Sequence, residues 1–530
     1  MGQLSHSVQK LISAYSRQRM QDAYTADEPK IKVHATISRL VFVYEKTRNA
    51  IEYKDEHLLR KNAIERMLKR RLYTEDRRTE LGRLLVTELI RARYLPNNAI
   101  PERVISEVDV IITKYLALID RIAPNRLTNE RRAHGYWILS IAAAEIEHHL
   151  VEPIREDALV ESMYGTIRQD VDLAEDIADP EERDLQVYIA IHRALIKSDP
   201  GIIRFHLFNY FVPGWLSNTP GSIEYVQQNF VALFQHVEYN LRHPFADRLE
   251  RFMKRFSILF IILRDLIEEN PRGFSSLISK QDVFEEKIRE VCTGRYKKAH
   301  QKLRRSYVRT IIYIFITKMM LALVLEFPFD RFVLHTTHYL PLAINTLFHP
   351  FLMLVIAMSI RFPTKKNTDK VVEFLKKIVY EEPYAGFLYK KKKKFFRSRA
   401  VRVIFDTIYT VTFLLTFGVL IWLLRTLDFS IVSGFLFIFF FTVISFFGVK
   451  LRREVKELII IDEKDNLISI IMDFFTLPVL RVGSWISQKT PKINLFVFVL
   501  DFIIEAPFKI FIEIVEDWVS FEREKKEEIY

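Results

Sequence analysis

Cysteine and glycine are both scarce in this sequence of 530 residues, and each scarcity excludes a class of structure or site. The single cysteine, Cys292, excludes an internal disulfide and a zinc site built from cysteines. Glycine occurs only 14 times, well below its usual share of about 7%. We therefore expect few glycine-rich phosphate loops and few tight β-turns, a composition that suits an all-α fold.

Familiar catalytic and nucleotide-binding motifs are also missing. The sequence contains no G-x-x-x-x-G-K-[ST], G-x-G-x-x-G, H-E-x-x-H or G-x-S-x-G pattern. These absences disfavour a P-loop ATPase, a dinucleotide enzyme, a zinc protease and an α/β-hydrolase. We therefore expect a protein that is not an enzyme and that carries no cofactor.

One spacing resembles that of a metal site, the E-x-x-H pair formed by Glu145 and His148, with His149 beside it. Di-iron helical bundles use two such pairs and two further glutamates. The sequence contains no second E-x-x-H pair, and its other histidines show no ligand spacing. A polar helix surface is the better interpretation of Glu145 and His148, so we predict no metal site.

Long apolar stretches divide the chain. Residues 1–305 are rich in charge, whereas four stretches of about 20 apolar residues follow, at 308–327, 340–360, 403–424 and 430–449. Each is long enough to cross a bilayer as a helix. A buried helix of a soluble protein rarely runs this far without a charged face. The sequence therefore predicts four transmembrane helices in a region of residues 306–457.

The basic residues predict the orientation of these four stretches. Lysine and arginine cluster before the first stretch, in the link of residues 361–402 and after the fourth stretch. The other two links contain one basic residue each, Arg331 and Arg425. Because cytoplasmic loops carry the excess of lysine and arginine, we expect a multi-pass protein of the inner or plasma membrane with both termini in the cytoplasm.

The N-terminal 305 residues read as a succession of helices separated by prolines. Apolar residues recur at three- and four-residue steps over 31–72, and similar patterns predict helices over 129–150, 180–197, 222–242 and 245–269. No stretch alternates with a period of two for long enough to predict a strand. The predicted fold class is all-α, with a cytoplasmic helical domain preceding the four-helix transmembrane bundle. The apolar segment 257–266 is interpreted as core, with a helix lying on the membrane as the alternative.

The C-terminal residues 458–530 contain two further apolar segments, 467–480 and 494–519. The first is too short to span a membrane. The second is long enough, but a helix would carry five charged side chains along one slowly drifting stripe, namely Asp501, Glu505, Lys509, Glu513 and Asp517. Burying these charges in hydrocarbon would cost about 2.5–3.5 kcal/mol each. We predict cytoplasmic or interfacial amphipathic helices here, with a fifth span over 494–519 as the alternative.

A few polar residues lie inside the predicted spans. Lys318 is about 15 Å from either end of the first span, and His349 lies at a similar depth in the second, one turn after Asn345. Asp406 is near the inner end of the third span. Ionisable groups at such depths are candidates for function, so these four residues form either a polar pathway that relays ions or protons, or a polar cluster that holds the helices together. The fourth span has no ionisable residue and is expected to face lipid.

A basic segment in the predicted cytoplasmic link combines lysine with two phenylalanines. Such segments bind either nucleic acid or anionic lipid headgroups. The position between two spans favours headgroups over nucleic acid. The predicted headgroup-binding residues are Lys390, Lys391, Lys392, Lys393, Lys394, Arg397 and Arg399.

Two functions remain open from the sequence. The first is a non-enzymatic scaffold or interaction protein, whose large helical domain recruits a cytoplasmic protein partner to the membrane. The second is an ion or small-solute channel or transporter that uses the polar residues in spans one to three. Four spans are few for a pore, so the second function requires a homo-oligomer.

Overall fold

The computed structural model describes most of the chain, and the described part is helical. The described residues are 5–24, 28–33, 41–42, 45–46, 56–74, 80–122, 129–168, 171, 177, 179–271, 273–335, 339–381, 399–460 and 467–489. Within these ranges there is no β-strand, only an isolated bridge between Lys30 and Pro101. The all-α prediction is confirmed for this part of the chain.

The chain divides into two compact units. The N-terminal unit comprises residues 2–257, and residues 258–379 and 389–494 form the C-terminal unit. The described helices of the N-terminal unit are α1 (His6–Tyr24), α2 (Glu56–Thr74), α3 (Leu81–Arg91), α4 (Arg103–Ile122), α5 (Asn129–Leu150), α6 (Ile154–Ile167), α7 (Pro180–Ile191), α8 (Pro200–Phe211) and α9 (Pro220–Leu241). Helix α10 (Ala246–Glu269) contains the division.

Proline and aspartate set the starts of two neighbouring helices in the N-terminal unit. Pro180 and Pro200 each occupy the first helical position, where the missing N–H would have no partner within the helix. The preceding residues, Asp179 and Asp199, accept hydrogen bonds from the backbone N–H groups of the first turn. These two caps position the functional residues of α7 and α8 described below.

Helix bounds in the N-terminal unit follow the predicted pattern with one clear exception. Helix α5 has the predicted bounds, and α9 and α10 differ from theirs by two residues or fewer. The single helix predicted over 31–72 is wrong at its start, because Ile31 is held by backbone hydrogen bonds to Ile100 and Asn98 rather than by a helix. The apolar segment 257–266 of α10 is largely buried, as its interpretation as core requires.

The C-terminal unit contains the long apolar helices. Its described helices after α10 are α11 (Phe274–Ile278), α12 (Gln281–Leu321), α13 (Tyr339–Met358), α14 (Lys365–Tyr380), α15 (Arg399–Thr426), α16 (Ile431–Lys456) and α17 (Leu467–Lys489). Helix α12 continues into two wider π-helical turns, Ala322–Glu326 and Phe329–Val333. It also passes without a break through residue 305, where the sequence predicted a domain boundary.

Four helices are long and apolar enough to cross a membrane, among the residues that the structure describes. They are Gln281–Val333, Tyr339–Met358, Val403–Thr426 and Ile431–Arg453. The four predicted apolar helices are therefore present, and they fit a membrane protein. The first predicted span, 308–327, lies within a much longer helix, and the predicted link after it is partly helical.

The apolar helices differ in how much of their surface is covered. Helices α12, α13 and α16 share a core of seven buried apolar side chains, among them Ile314, Met353 and Ile444. Helix α16, which contains the fourth predicted span, packs against α12 and α13 but also leaves Ile431 and Phe435 exposed, so its contact with lipid stays a prediction. Helix α15 is the most exposed of the four, with only 11% of its apolar part buried.

Helix α17 lies along the spans, and a glycine permits its close approach. It packs against both α16 and α15, and it extends nine residues beyond the predicted segment 467–480. A Cβ atom at Gly483 would lie 2.2 Å from the carbonyl oxygen of Thr442 and 2.8 Å from Cβ of Phe446. Because Thr442 is near the middle of α16, α17 runs beside the apolar part of the fourth span. The other predicted amphipathic helix, 494–519, lies outside the described residues.

Replacement of this glycine should loosen the contact between α16 and α17. We expect Gly483→Ala to destabilise the protein by about 1–3 kcal/mol, because the added methyl group overlaps backbone atoms that have little freedom to move. Gly418→Ala is the matched control, since nothing lies within 4 Å of a Cβ atom there and alanine favours a helix. The measurement is the thermal unfolding midpoint of each variant in detergent. Equal midpoints for the two variants would contradict the packing described here.

Candidate functional site

Lys318 and Asn345, two of the residues predicted from sequence, are in direct contact. The Lys318 ammonium on α12 donates a hydrogen bond of 2.6 Å to the side-chain oxygen of Asn345 on α13. Lys318 is 1% exposed and Asn345 is fully buried. The contact therefore joins the first and second spans away from solvent.

Two residues that the sequence analysis missed complete the network. The Asn345 amide donates to Glu326 Oε1 at 2.7 Å, and the Ser433 hydroxyl of α16 donates to Glu326 Oε2 at 2.7 Å. The Lys318 ammonium lies 3.9 Å from Glu326 Oε1. These contacts form a buried ion pair bridged by an amide, and they bring α12, α13 and α16 together.

The turn that carries Glu326 explains why it reaches Lys318. Eight residues of a regular α-helix turn through about 800°, which would leave the two side chains about 80° apart. In the π-helical turn Ala322–Glu326 the Phe327 N–H bonds to Ala322 O, five residues back, so one extra residue is accommodated. The angle that remains between the Lys318 and Glu326 side chains around the helix axis is about 20°. Both side chains therefore face the same neighbours.

His349 is fully buried and contacts two backbone carbonyl oxygens. Its Nδ1 lies 2.9 Å from the oxygen of Asn345, and its Nε2 lies 3.1 Å from the oxygen of Phe437 on α16. A neutral imidazole has only one N–H to donate. The neutral ring can therefore donate to only one of the two carbonyl oxygens, and the tautomer decides which one.

Asp406 does not join this network. It is exposed on α15, the helix that is least covered by the rest of the structure. Of the predicted headgroup-binding residues, Lys390–Lys394 and Arg397 lie outside the described residues, and Arg399 begins α15. The structure therefore brings together three of the four predicted polar residues.

The aromatic side chains of α16 complete the walls of the site. The Lys318 ammonium lies 4.5 Å from the ring centroid of Phe440, and the ring of His349 packs against those of Phe437 and Phe440. A cation above an aromatic face gains about 1–2 kcal/mol when water is absent. The Lys318 ammonium is thus held by the Glu326 carboxylate, the Asn345 amide and the Phe440 ring.

The E-x-x-H pair of the N-terminal unit is divided between two environments. Glu145 accepts hydrogen bonds from the Lys114 ammonium at 2.5 Å, the Tyr115 hydroxyl at 2.5 Å and the Trp215 indole at 3.0 Å. His148 instead packs against the rings of Phe205 and His206. Glu145 is therefore a buried structural carboxylate. No group of three or more residues suited to a metal is present in the described part of the chain.

A cluster of buried histidines lies near His148. The rings of His192 and His206 are 4.5 Å apart, and both rings contact Tyr188. Burial lowers the pKa of His206 to about 4 and holds the pKa of His192 well below its usual value. Both rings are therefore neutral at physiological pH.

No protein-family model, curated protein or solved structure matches this chain. The interpretation of its sites therefore depends on their geometry and chemistry.

Removal of one partner of the buried ion pair should cost more than removal of both. We expect Lys318→Met or Glu326→Gln alone to destabilise the protein by about 3–5 kcal/mol, because each leaves an unpaired charge in an apolar surrounding. The double variant should recover a large part of this loss, since neither charge remains. The measurement is a double-mutant cycle on unfolding in detergent, and additive effects of the two substitutions would exclude the ion pair.

Proposed function

We propose that this protein is a non-enzymatic, membrane-anchored interaction protein. Its apolar helices hold the N-terminal helical unit at the membrane, where that unit binds a protein partner. The observation that carries the proposal is the pairing of Lys318, Asn345, Glu326 and Ser433 inside the bundle. Because these polar groups satisfy one another and are buried, they stabilise the contacts between helices rather than line an open path.

The physical chemistry of the bilayer supports this assignment. Burying a lone ammonium or carboxylate in hydrocarbon costs about 2.5–3.5 kcal/mol or more. A charged group that needs a partner from another helix therefore determines which helices pack together. A bundle assembled in this way needs no cofactor and no moving part. Anchoring is the function that such a closed arrangement serves best.

The N-terminal unit has what a binding domain requires. Its own core includes long runs of buried residues from α4, α5, α8 and α9, among them Trp137, Phe208 and Trp215. Buried ion pairs such as Arg60 with Glu147, at 2.8 Å, add specific contacts between its helices. A unit of this size presents a surface large enough for an interface of about 800 Å².

We further propose that the N- and C-termini of the chain lie in the cytoplasm and that the basic link 361–402 faces anionic headgroups. The distribution of lysine and arginine between the links supports this orientation. Each basic residue close to the headgroups adds about 1 kcal/mol of attraction. The link and the N-terminal unit would then lie on the same side of the inner or plasma membrane.

Reporter fusions test the orientation directly. A reporter placed after Leu334 should report the external compartment, and one placed at Lys392 should report the cytoplasm, because the second span separates the two positions. The readout is a pair of enzymes, each active in only one compartment. Identical compartments for the two fusions would refute the four-span arrangement.

A second function, oligomeric transport of protons or small ions, is favoured by one observation. His349, a titratable group, is buried between two carbonyl oxygens in the same bundle as the Lys318–Glu326 pair. The exposed apolar face of α15 would then contact other copies of the chain instead of lipid. In this function the polar network opens during transport instead of remaining closed.

Flux measurements separate the two functions. We expect proteoliposomes containing the wild-type protein to show no proton or potassium flux above that of protein-free liposomes. Lys318→Met and His349→Ala serve as matched variants, since transport through the network requires both residues. Flux in the wild type that both variants abolish would replace the anchor function by transport.

A further inference from the structure

The N-terminal unit contains a cavity of about 750 Å³ whose lining has an unusual chemistry for this protein. It lies between α6, α7 and α8, with one residue contributed by α1. Its size falls within the range of small-ligand sites, about 300–1,000 Å³. The chain as a whole carries a net charge of +12, yet this lining is acidic and aromatic.

Three tyrosines form the aromatic part of the lining, Tyr164, Tyr188 and Tyr210. The rings of Tyr164 and Tyr188 meet edge to face, with centroids 6.2 Å apart. Tyr188 also contacts the rings of His192 and His206, so one continuous aromatic surface runs from α6 to α8. Electron-rich faces of this kind attract organic cations.

The charged groups of the lining have the sign that a cation requires. The lining contains three carboxylates, those of Glu161, Glu181 and Asp184, and one ammonium, that of Lys10; Asp184 is also paired with Arg168. The two lining histidines add no positive charge, because burial lowers their pKa values. Burial raises the pKa of Tyr188, and the carboxylates of Asp157 and Glu161 add to this shift.

A buried nitrogen provides an independent sign of a ligand. His192 is 3% exposed, and its Nε2 has no hydrogen-bond partner within the described residues. Its Nδ1 lies 3.2 Å from the Ser198 hydroxyl. When Nδ1–H donates to that hydroxyl, Nε2 presents a lone pair, the group that an N–H of a cationic ligand would need.

The chain's own Arg168 illustrates the affinity of this wall for a cation. Its guanidinium pairs with Asp184 and lies 5.6 Å from the ring centroid of Tyr164. Both partners belong to the lining of the cavity. A carboxylate and a tyrosine face therefore already hold one guanidinium at the edge, while Glu161 and Glu181 lie further along the same lining.

We propose that this cavity binds an organic cation, an alkylammonium or guanidinium group held against Tyr188 and the carboxylates of Glu161 and Glu181. If the bound group is a lysine or arginine side chain of a protein partner, this inference names the chemistry that the partner offers, and it then rests on the proposed interaction function. A free small amine would offer the same chemistry, and the experiment distinguishes the two sources.

Calorimetric titration of the full-length protein in detergent tests the site. The probes are n-butylammonium and N-acetyl-arginine amide, each paired with a neutral compound of similar shape, butan-1-ol and N-acetyl-citrulline amide. We expect at least one cation to bind about tenfold more tightly than its neutral counterpart. Preference for n-butylammonium identifies a small free cation, and preference for the arginine compound identifies a side chain.

Variants assign the binding to this cavity. Glu161→Gln combined with Glu181→Gln should weaken binding of the cation about tenfold, and Tyr188→Leu should do the same. The matched controls are Glu224→Gln and Tyr225→Leu on α9, which lie outside the lining and should leave the affinity unchanged. The carboxylate variant keeps the test independent of any packing defect caused by the loss of the tyrosine.

Three results would overturn the inference: no binding of either cation at millimolar concentration, equal binding of the neutral compounds, or equal losses in cavity and control variants. Each of these results is compatible with the proposed membrane-anchored interaction function, provided that the wild-type protein conducts no ions. Flux through the wild type would instead remove the anchor function and leave a measured cation site intact.

Discussion

The structure of the C-terminal unit depends on how two opposite charges are accommodated among apolar helices. Lys318 and Glu326 come from the same helix, so they alone could not join it to another. Asn345 supplies a donor and an acceptor from the second span, and Ser433 supplies a hydroxyl from the fourth. The hydrogen bonds of both charged groups are complete only when all three helices are in place, which couples the satisfaction of these groups to the assembly of the bundle.

The N-terminal unit accommodates a buried carboxylate in a similar way. Glu145 is 4% exposed, and an ammonium, a phenol and an indole donate hydrogen bonds to it. In both units a carboxylate accepts hydrogen bonds from other elements, which fixes their relative positions at the cost of desolvation. The histidine cluster differs, since burial keeps its rings neutral and Nε2 of His192 has no hydrogen-bond partner among the described residues.

The apolar helices, most helix bounds and the absence of a strand among the described residues followed from the sequence, because length and periodicity are local properties. Lys318, Asn345 and His349 stood out for the same reason, as polar residues in apolar runs. Glu326 did not, because it lies at the end of the apolar run, and only a turn of irregular pitch directs it inward. Ser433 resembled any other serine of a span. The cavity in the N-terminal unit was also unpredictable, since its tyrosines and carboxylates come from separate helices.

The wider turn at Ala322–Glu326 makes the ion pair sensitive to the number of residues rather than to their identity. Alanine, leucine and valine in this turn carry no polar group, and other apolar side chains would serve there equally well. A return to regular pitch with the same number of residues would rotate the carboxylate by about 100° relative to the ammonium. Natural variation in this segment should therefore be exchanges at constant length, or loss of the one residue that the wider turn accommodates, because an insertion would rotate the carboxylate away from the ammonium and expose a charge to lipid.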